Sequence, residues 1–217
     1  MKYGQIAGNK SINDTIYRCF GCVCGEDERR FVSKFRQQPH NEAQILHTYR
    51  ELVLGAYLAS KGLKVRYGYK VDTKTPDWAI LDDKSMLMGI IELVNFHTDR
   101  ETENAIEVQL QSEGHWDGCL NDNHYRLYGA IQRKATIYKP LVEKRRIPYV
   151  IAVFGDFLAA ITRDEIERCL FCEESGLFGV YPVISGLLYF EHSGSYEFHY
   201  IWNPRCLHSI SLPDGVF

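Results

Sequence analysis

The fold of this chain is decided by residues 75–95, which read TPDWAILDDKSMLMGIIELVN. Asp77 to Leu81 has the composition of a short strand, the polar triplet after it is typical of a turn, and Met86 to Asn95 is a long apolar strand. The stretch therefore predicts an antiparallel hairpin. Two carboxylates interrupt its apolar pattern, because Asp77 stands at one end and Glu92 lies on the returning arm.

Helical and strand patterns alternate on both sides of this hairpin. A helix is predicted from Asn41 to Lys61, where apolar residues recur at the helical spacing, and a strand is predicted from Lys64 to Val71. The elements predicted downstream are a helix from Tyr125 to Tyr138 that Pro140 kinks or restarts, a strand at Tyr149–Phe154, a helix opened by the capping box of Thr162 and Glu165, and strands at Val183–Glu191 and Tyr196–Trp202. This order predicts an α/β fold with a mixed central β-sheet flanked by helices.

The length of 217 residues suits one large domain. We assign residues 1–40 to an N-terminal extension with a short helix and residues 41–217 to a single domain, which carries an acidic insertion at about residues 97–123. The formal net charge of -3 gives no general attraction to nucleic acid or to anionic membranes. An anionic partner therefore has to be bound by a local patch of basic residues.

The sequence also indicates the compartment. No apolar run approaches the roughly 18 residues that a membrane span needs, and the polar stretch from Met1 to Ser11 lacks the apolar core of a signal peptide. We therefore expect a cytoplasmic protein without a membrane partner, whose seven cysteines are reduced thiols. A zinc site formed by Cys19, Cys22, Cys24 and His40 is the alternative for the N-terminal cysteines.

Glu92 is the most informative residue for function. An ionised carboxylate in a strand of Met, Ile, Leu and Val costs on the order of several kcal/mol to bury, unless another group compensates its charge. A divalent cation with oxygen ligands is one such group. Because a hairpin turn brings Asp77 and Glu92 to one face, the two carboxylates can hold one Mg²⁺, or Mn²⁺ in its place, and Glu51 on the preceding helix can assist.

The helix after the hairpin supplies a basic candidate. Lys134 leaves that helix from the edge of its apolar stripe, so its long side chain can reach across the core-facing side. Next to metal-binding carboxylates, such an ammonium can contact a scissile phosphate or the attacking water. Gln132 points about 160° away on a regular helix, at about 100° per residue, and is the weaker candidate.

These elements together resemble the PD-(D/E)XK nuclease superfamily, which has the restriction-endonuclease-like fold. The resemblance covers residues 42–154 and rests on Thr75-Pro76-Asp77, the apolar strand with Glu92, the upstream helix with Glu51, and the helix with Lys134 that leads into a buried strand. It implies a Mg²⁺-dependent endonuclease, a hydrolase that cuts the phosphodiester bonds of DNA, or less often RNA, with an activated water. Asp77 and Glu92 are then the metal ligands, and Glu51 and Lys134 are further catalytic residues.

One position departs from the family pattern. The motif has Glu-X-Lys, whereas this chain has Glu92-Leu93-Val94. Lys134 is placed to substitute for the missing lysine; the alternative is a catalytically inactive module that kept the fold and binds nucleic acid or a protein partner. Each residue also has an ordinary structural interpretation, since Pro-Asp is a common turn dipeptide and Glu92 can pair with a lysine within a sheet.

The helix that carries Lys134 also carries the predicted nucleic-acid-binding patch. Residues 126–146 contain seven Lys and Arg residues and a single acidic residue, Glu143. Such a patch can contact phosphates in spite of the negative net charge. Its proposed contact residues are Arg133, Lys139, Lys144, Arg145 and Arg146. A small nuclease that cuts both strands often dimerises, so a homodimer is one expected state.

Overall fold

The computed structural model describes residues 9–37, 42–96, 105, 108, 109, 111, 112, 124–155, 161–172, 175–192 and 194–217. This described part contains six helices: α1 (Lys10–Phe20), α2 (Gly25–Gln37), α3 (Glu42–Ser60), α4 (His124–Arg145), α5 (Arg163–Phe171) and α6 (Leu177–Val180). It also contains seven strands: β1 (Lys64–Tyr67), β2 (Trp78–Leu81), β3 (Leu87–Phe96), β4 (Tyr149–Gly155), β5 (Gly186–His192), β6 (Tyr196–Trp202) and β7 (Gly215–Val216).

The strands form one seven-stranded sheet in chain order. The pairs β1–β2, β2–β3, β5–β6 and β6–β7 are antiparallel. The chain is therefore a mixed α/β protein, and the fold class predicted from the sequence is confirmed at that level. The prediction of β1 extended to Val71, but the strand ends at Tyr67 because Gly68 takes a positive φ of 57°.

The chain divides into two compact units, and each is described separately. The first comprises residues 1–93 and 141–150, and the second comprises residues 94–140 and 151–217. In the first unit, α3 contacts α1, α2 and β1, and its residues 51–58 are all buried. A helix that is buried on every side must pack against other elements besides the sheet. α1 and α2, which lie in the segment predicted to be an extension, pack against α3 in this way.

The second unit contains the β5–β6 hairpin, whose seven residue pairs run from Gly186↔Trp202 to His192↔Tyr196. The capping box predicted for α5 is present: the Thr162 hydroxyl accepts from the backbone N–H of Glu165, and the Glu165 carboxylate accepts from the N–H of Thr162. α4 runs as one helix with Pro140 inside it, so it does not restart after this residue.

The predicted acidic insertion at residues 97–123 lies almost entirely outside the described residues, and the five that are described are helical. His40 and Cys119 also lie outside them. In the described ranges, no helix combines the length and the hydropathy that crossing a membrane requires.

Candidate functional site

The two carboxylates of the hairpin lie opposite each other in the first unit. Trp78 pairs with Ile91, so Asp77 and Glu92 are the next positions outward on the two arms. Residues directly opposite in an antiparallel pair share one face of the sheet. The backbone N–H of Asp77 donates to Glu92 Oε1 at 3.0 Å, and the N–H of Leu93 donates to Asp77 Oδ2 at 2.8 Å. The structure thus brings both predicted ligands together at the end of the β2–β3 pairing.

The two carboxylates differ in exposure. Glu92 is only 2% exposed, whereas Asp77 is half-buried. An ionised carboxylate buried to this degree is stabilised by donors or by positive charge, because removal from water is costly. The hydrogen bonds to backbone N–H groups supply part of this stabilisation. The half-buried Asp77 gives the pair a side that solvent and solutes can reach.

Trp78 fixes the hairpin to α3. Its indole Nε1 donates to the backbone oxygen of Glu51 at 2.9 Å, and its side chain is fully buried. Gly55, one turn further along α3, makes this approach possible, because a Cβ there would lie 1.8 Å from Trp78 Cζ2. Trp78, which follows Asp77 in the chain, is therefore held against the backbone of Glu51.

Glu51 accepts hydrogen bonds from three side chains while being 1% exposed. Lys34 Nζ lies 2.6 Å from Oε2, the Tyr67 hydroxyl donates to Oε2 at 2.8 Å, and His47 Nε2 lies 3.1 Å from Oε1. Burial raises the pKa of Glu51, but the hydrogen bond from His47 and the charge of Lys34 outweigh burial, so this pKa lies below its usual value. Glu51 is therefore an ionised carboxylate inside the first unit.

Tyr67 is hydrogen-bonded to both Lys34 and Glu51. Lys34 Nζ donates to the Tyr67 hydroxyl at 2.6 Å, and that hydroxyl in turn donates to Glu51. Burial and then the charge of Glu51 raise the pKa of Tyr67, and the charge of Asp77 raises it further. The phenol therefore stays protonated and remains a hydrogen-bond donor to Glu51. We call Lys34, His47, Glu51 and Tyr67 the Glu51 network.

Sequence reasoning missed Lys34, which lies on α2. This helix is held on β1 by two kinds of contact: the Arg30 guanidinium donates to the backbone oxygen of Tyr67 at 2.5 Å, and the rings of Phe31 and Tyr67 are 4.1 Å apart. The only signal in the sequence was a basic and aromatic stretch from Arg29 to Arg36. Since apolar residues do not recur in that stretch at a regular helical spacing, it did not reveal which side chain faces α3.

Lys134, the predicted catalytic lysine, belongs to the second unit. It is half-buried on α4, and the neighbouring Ile131, Ala135 and Tyr138 are buried, which agrees with a position at the edge of the apolar stripe. Gln132, the weaker candidate, donates to the Tyr181 hydroxyl at 3.1 Å.

Two of the five predicted phosphate contacts are paired with an acid. Lys144 Nζ lies 2.9 Å from Asp72 Oδ2, and the Arg145 guanidinium also pairs with Asp72. The hydrogen bond from Arg145, followed by that from Lys144, lowers the pKa of Asp72 to about 2. Arg133, Lys139 and Arg146 are exposed side chains. The patch on α4 is thus partly neutralised within the first unit.

The donor set of the hairpin suits a hard cation. Mg²⁺ is commonly bound by one or two carboxylates, with water and phosphate oxygens completing its coordination. Asp77 and Glu92 supply two such carboxylates on one face. Among the residues that the structure describes, no cluster of three or more His, Cys, Asp or Glu side chains is arranged to hold a metal ion. The pair therefore offers two carboxylates to a cation of this kind, and the described residues add no further cluster of ligands.

Comparisons with protein-family models, with curated proteins and with solved structures give no match to this chain.

Proposed function

We propose that the chain is a metal-dependent nuclease with a restriction-endonuclease-like fold, which hydrolyses phosphodiester bonds of DNA, or of RNA, with an activated water. The observation that carries this proposal is the cross-strand pair of Asp77 and Glu92, with the ionised and buried Glu51 on the adjacent helix. The order of elements agrees with the resemblance, since a helix with Glu51 precedes the hairpin and a helix with Lys134 follows it.

Asp77 and Glu92 would hold the cation. A bound Mg²⁺ supplies positive charge to a phosphate oxygen and lowers the pKa of a coordinated water. The backbone hydrogen bonds hold one oxygen of each carboxylate in place, so the two groups are oriented before any substrate arrives. Glu51 keeps its negative charge on the adjacent helix, where its hydrogen bonds hold Lys34 and Tyr67 in position.

Lys34 is a second candidate for the positive charge at the phosphate. Because the motif lysine is replaced by the buried Val94, an ammonium has to come from another element. Lys34 lies in the same unit as Asp77, contacts Glu51, and retains a side chain that is 27% exposed. We therefore propose Lys34 as a second candidate, in addition to Lys134, for the group that contacts phosphate oxygen.

The test is cleavage of plasmid DNA, single-stranded DNA and RNA in Mg²⁺ or Mn²⁺, with EDTA as the metal-free control. We expect the purified chain to cut at least one substrate, and Asp77→Asn or Glu92→Gln to reduce the rate by about 100-fold or more. Asp83→Asn is the matched control, because this exposed acid lies in the turn of the same hairpin. Equal rates for Asp77→Asn and Asp83→Asn would contradict the metal site.

Two further comparisons separate the remaining alternatives. Both lysine variants are compared at a temperature where urea unfolding shows that they are folded. If Lys34→Gln then lowers the cleavage rate without weakening binding, whereas Lys134→Gln does not, Lys34 is the phosphate-contacting lysine; the reverse result selects Lys134. A wild-type chain that binds nucleic acid but cuts none of the substrates with either metal would reject catalysis. That result would support the inactive nucleic-acid-binding module instead.

A further inference from the structure

The second unit contains a contact between a thiol and an imidazole that the proposed nuclease site does not use. Cys169 Sγ on α5 lies 3.1 Å from Nδ1 of His124, the first residue of α4, and 3.4 Å from the His124 backbone oxygen. Cys169 is 1% exposed. An imidazole nitrogen at this distance can take the thiol proton and leave a thiolate, which is the reactive form of cysteine.

A second thiol follows three residues later. Cys172 is exposed, and its backbone N–H donates to the Arg168 oxygen at 3.3 Å, so the helical turn extends to this residue. Residues three apart on a helix lie on the same face, with Cβ atoms about 5–6 Å apart. A disulfide needs Cβ atoms about 3.5–4.5 Å apart, so its formation requires a local shift. Cys172 can make this shift because it is the C-cap residue of α5, where a ψ of 131° ends the helix. The six cysteines in the described part of the chain are all reduced.

A cavity gives solutes access to this pair. Its volume is about 830 Å³, and His124, Arg168 and Cys172 are among its lining residues. Among the described residues, Tyr125, Asp164, Glu167 and Phe171 also line it. Cys172 and His124 thus border the same space, whereas Cys169 is buried in contact with the His124 ring. A small uncharged oxidant can therefore reach Cys172 first.

We propose that Cys169 and Cys172 are a dithiol that hydroperoxides oxidise to a disulfide, with His124 as the proton acceptor. The Cys172 sulfur attacks the terminal oxygen of the hydroperoxide and the O–O bond breaks. The departing oxygen takes the Cys172 thiol proton and leaves as an alcohol, or as water when the oxidant is hydrogen peroxide, and Cys172 becomes a sulfenic acid. The Cys169 proton passes to His124 Nδ1, and the thiolate attacks the Cys172 sulfur. The S–O bond breaks, and the departing hydroxide takes the proton from His124 and leaves as water. Two thiols lose two electrons, and the hydroperoxide gains them.

The experiment uses the full chain and hydrogen peroxide, followed by alkylation, trypsin digestion and mass spectrometry. The peptide 169–205 contains both cysteines and no other, because trypsin cuts after Arg168 and Arg205. We expect the oxidised peptide to carry no alkyl group and to weigh two hydrogen atoms less than the unalkylated dithiol peptide. A reductant added before alkylation should restore two alkylated cysteines. Peptide 19–29, with Cys19, Cys22 and Cys24, is the internal control for unselective oxidation. If peptide 169–205 keeps both thiols while peptide 19–29 is oxidised, the proposal is wrong.

Variants test each role separately. Cys169→Ser should stop at a Cys172 sulfenic acid that dimedone traps, and Cys172→Ser should form no disulfide in this peptide. His124→Gln should slow disulfide formation by about 10-fold or more, and raising the pH to about 9 should restore the rate because the thiol then ionises without a base. A disulfide that forms equally fast in His124→Gln and the wild type would overturn the role of His124. Because none of these readouts involves cleavage of nucleic acid, failure of the nuclease proposal would leave them unaffected.

Discussion

Replacing Lys34 by Met tests the Glu51 network. The substitution keeps the length and the apolar stem of the side chain but removes the ammonium that lies 2.6 Å from Glu51 Oε2. Glu51 remains buried at 1% exposure with a negative charge that has lost its nearest cation. The variant therefore measures how much the network depends on that charge.

The structure sets the expected magnitude. Removing one partner of a buried ion pair costs about 3–5 kcal/mol. The Lys34 side chain is 27% exposed, and Tyr67 and His47 still donate to Glu51, so part of the charge remains compensated. We therefore expect the free energy of unfolding to fall by about 2–3 kcal/mol near neutral pH. The double variant Lys34→Met/Glu51→Gln should recover more than half of this loss, because no buried charge is then left uncompensated.

The pH dependence follows from the pKa of Glu51, which lies below its usual value in the folded chain. A carboxyl group with a lowered folded-state pKa contributes stability above its unfolded pKa and loses that contribution as the pH falls through the folded-state pKa. Lys34 interacts with the ionised form only. The cost of Lys34→Met should therefore be larger at about pH 7.5 than at about pH 4.5, where the variant binds a proton at Glu51 more readily.

The assay is urea unfolding followed by the fluorescence of the three tryptophans, of which Trp78 is fully buried. Lys64→Met is the matched control, because its ammonium lies on the surface and reaches Ser85 Oγ at 3.1 Å. This control should change the free energy of unfolding by less than about 0.5 kcal/mol. A Lys34→Met variant that is no less stable than the Lys64→Met control would refute a buried and charge-compensated Glu51.

Two further predictions concern the same unit. Gly55→Ala should lower the free energy of unfolding by about 1–3 kcal/mol, measured by urea unfolding, since the new methyl group overlaps the indole of Trp78; unchanged stability would contradict the close packing of these residues. Arg145→Gln should raise the pKa of Asp72 from about 2 towards its usual value, measured by NMR titration of the carboxyl carbon, because the strongest of its hydrogen bonds is lost. An unchanged titration would show that Asp72 does not pair with Arg145 in solution.

Local sequence patterns were sufficient to predict several elements of the fold. The β2–β3 hairpin, the α3 helix and the capping box of α5 all follow from signals within about a dozen residues. The opposition of Asp77 and Glu92 also belongs to this group, because the length of a hairpin turn sets which residues face each other. Lys34 does not belong to it, since no short-range pattern connects α2 to Glu51, 17 residues further along the chain.

Hydrophobic periodicity and turn residues act locally, so the α/β class, the order of the main elements and the facing positions of Asp77 and Glu92 could be predicted without the structure. The cation that accompanies Glu51, the contact of Trp78 with α3 and the pairing of Lys144 and Arg145 with Asp72 could not. These contacts join residues far apart in the chain. They depend on which side chains the packing of distant elements brings together, and sequence spacing alone does not encode that choice.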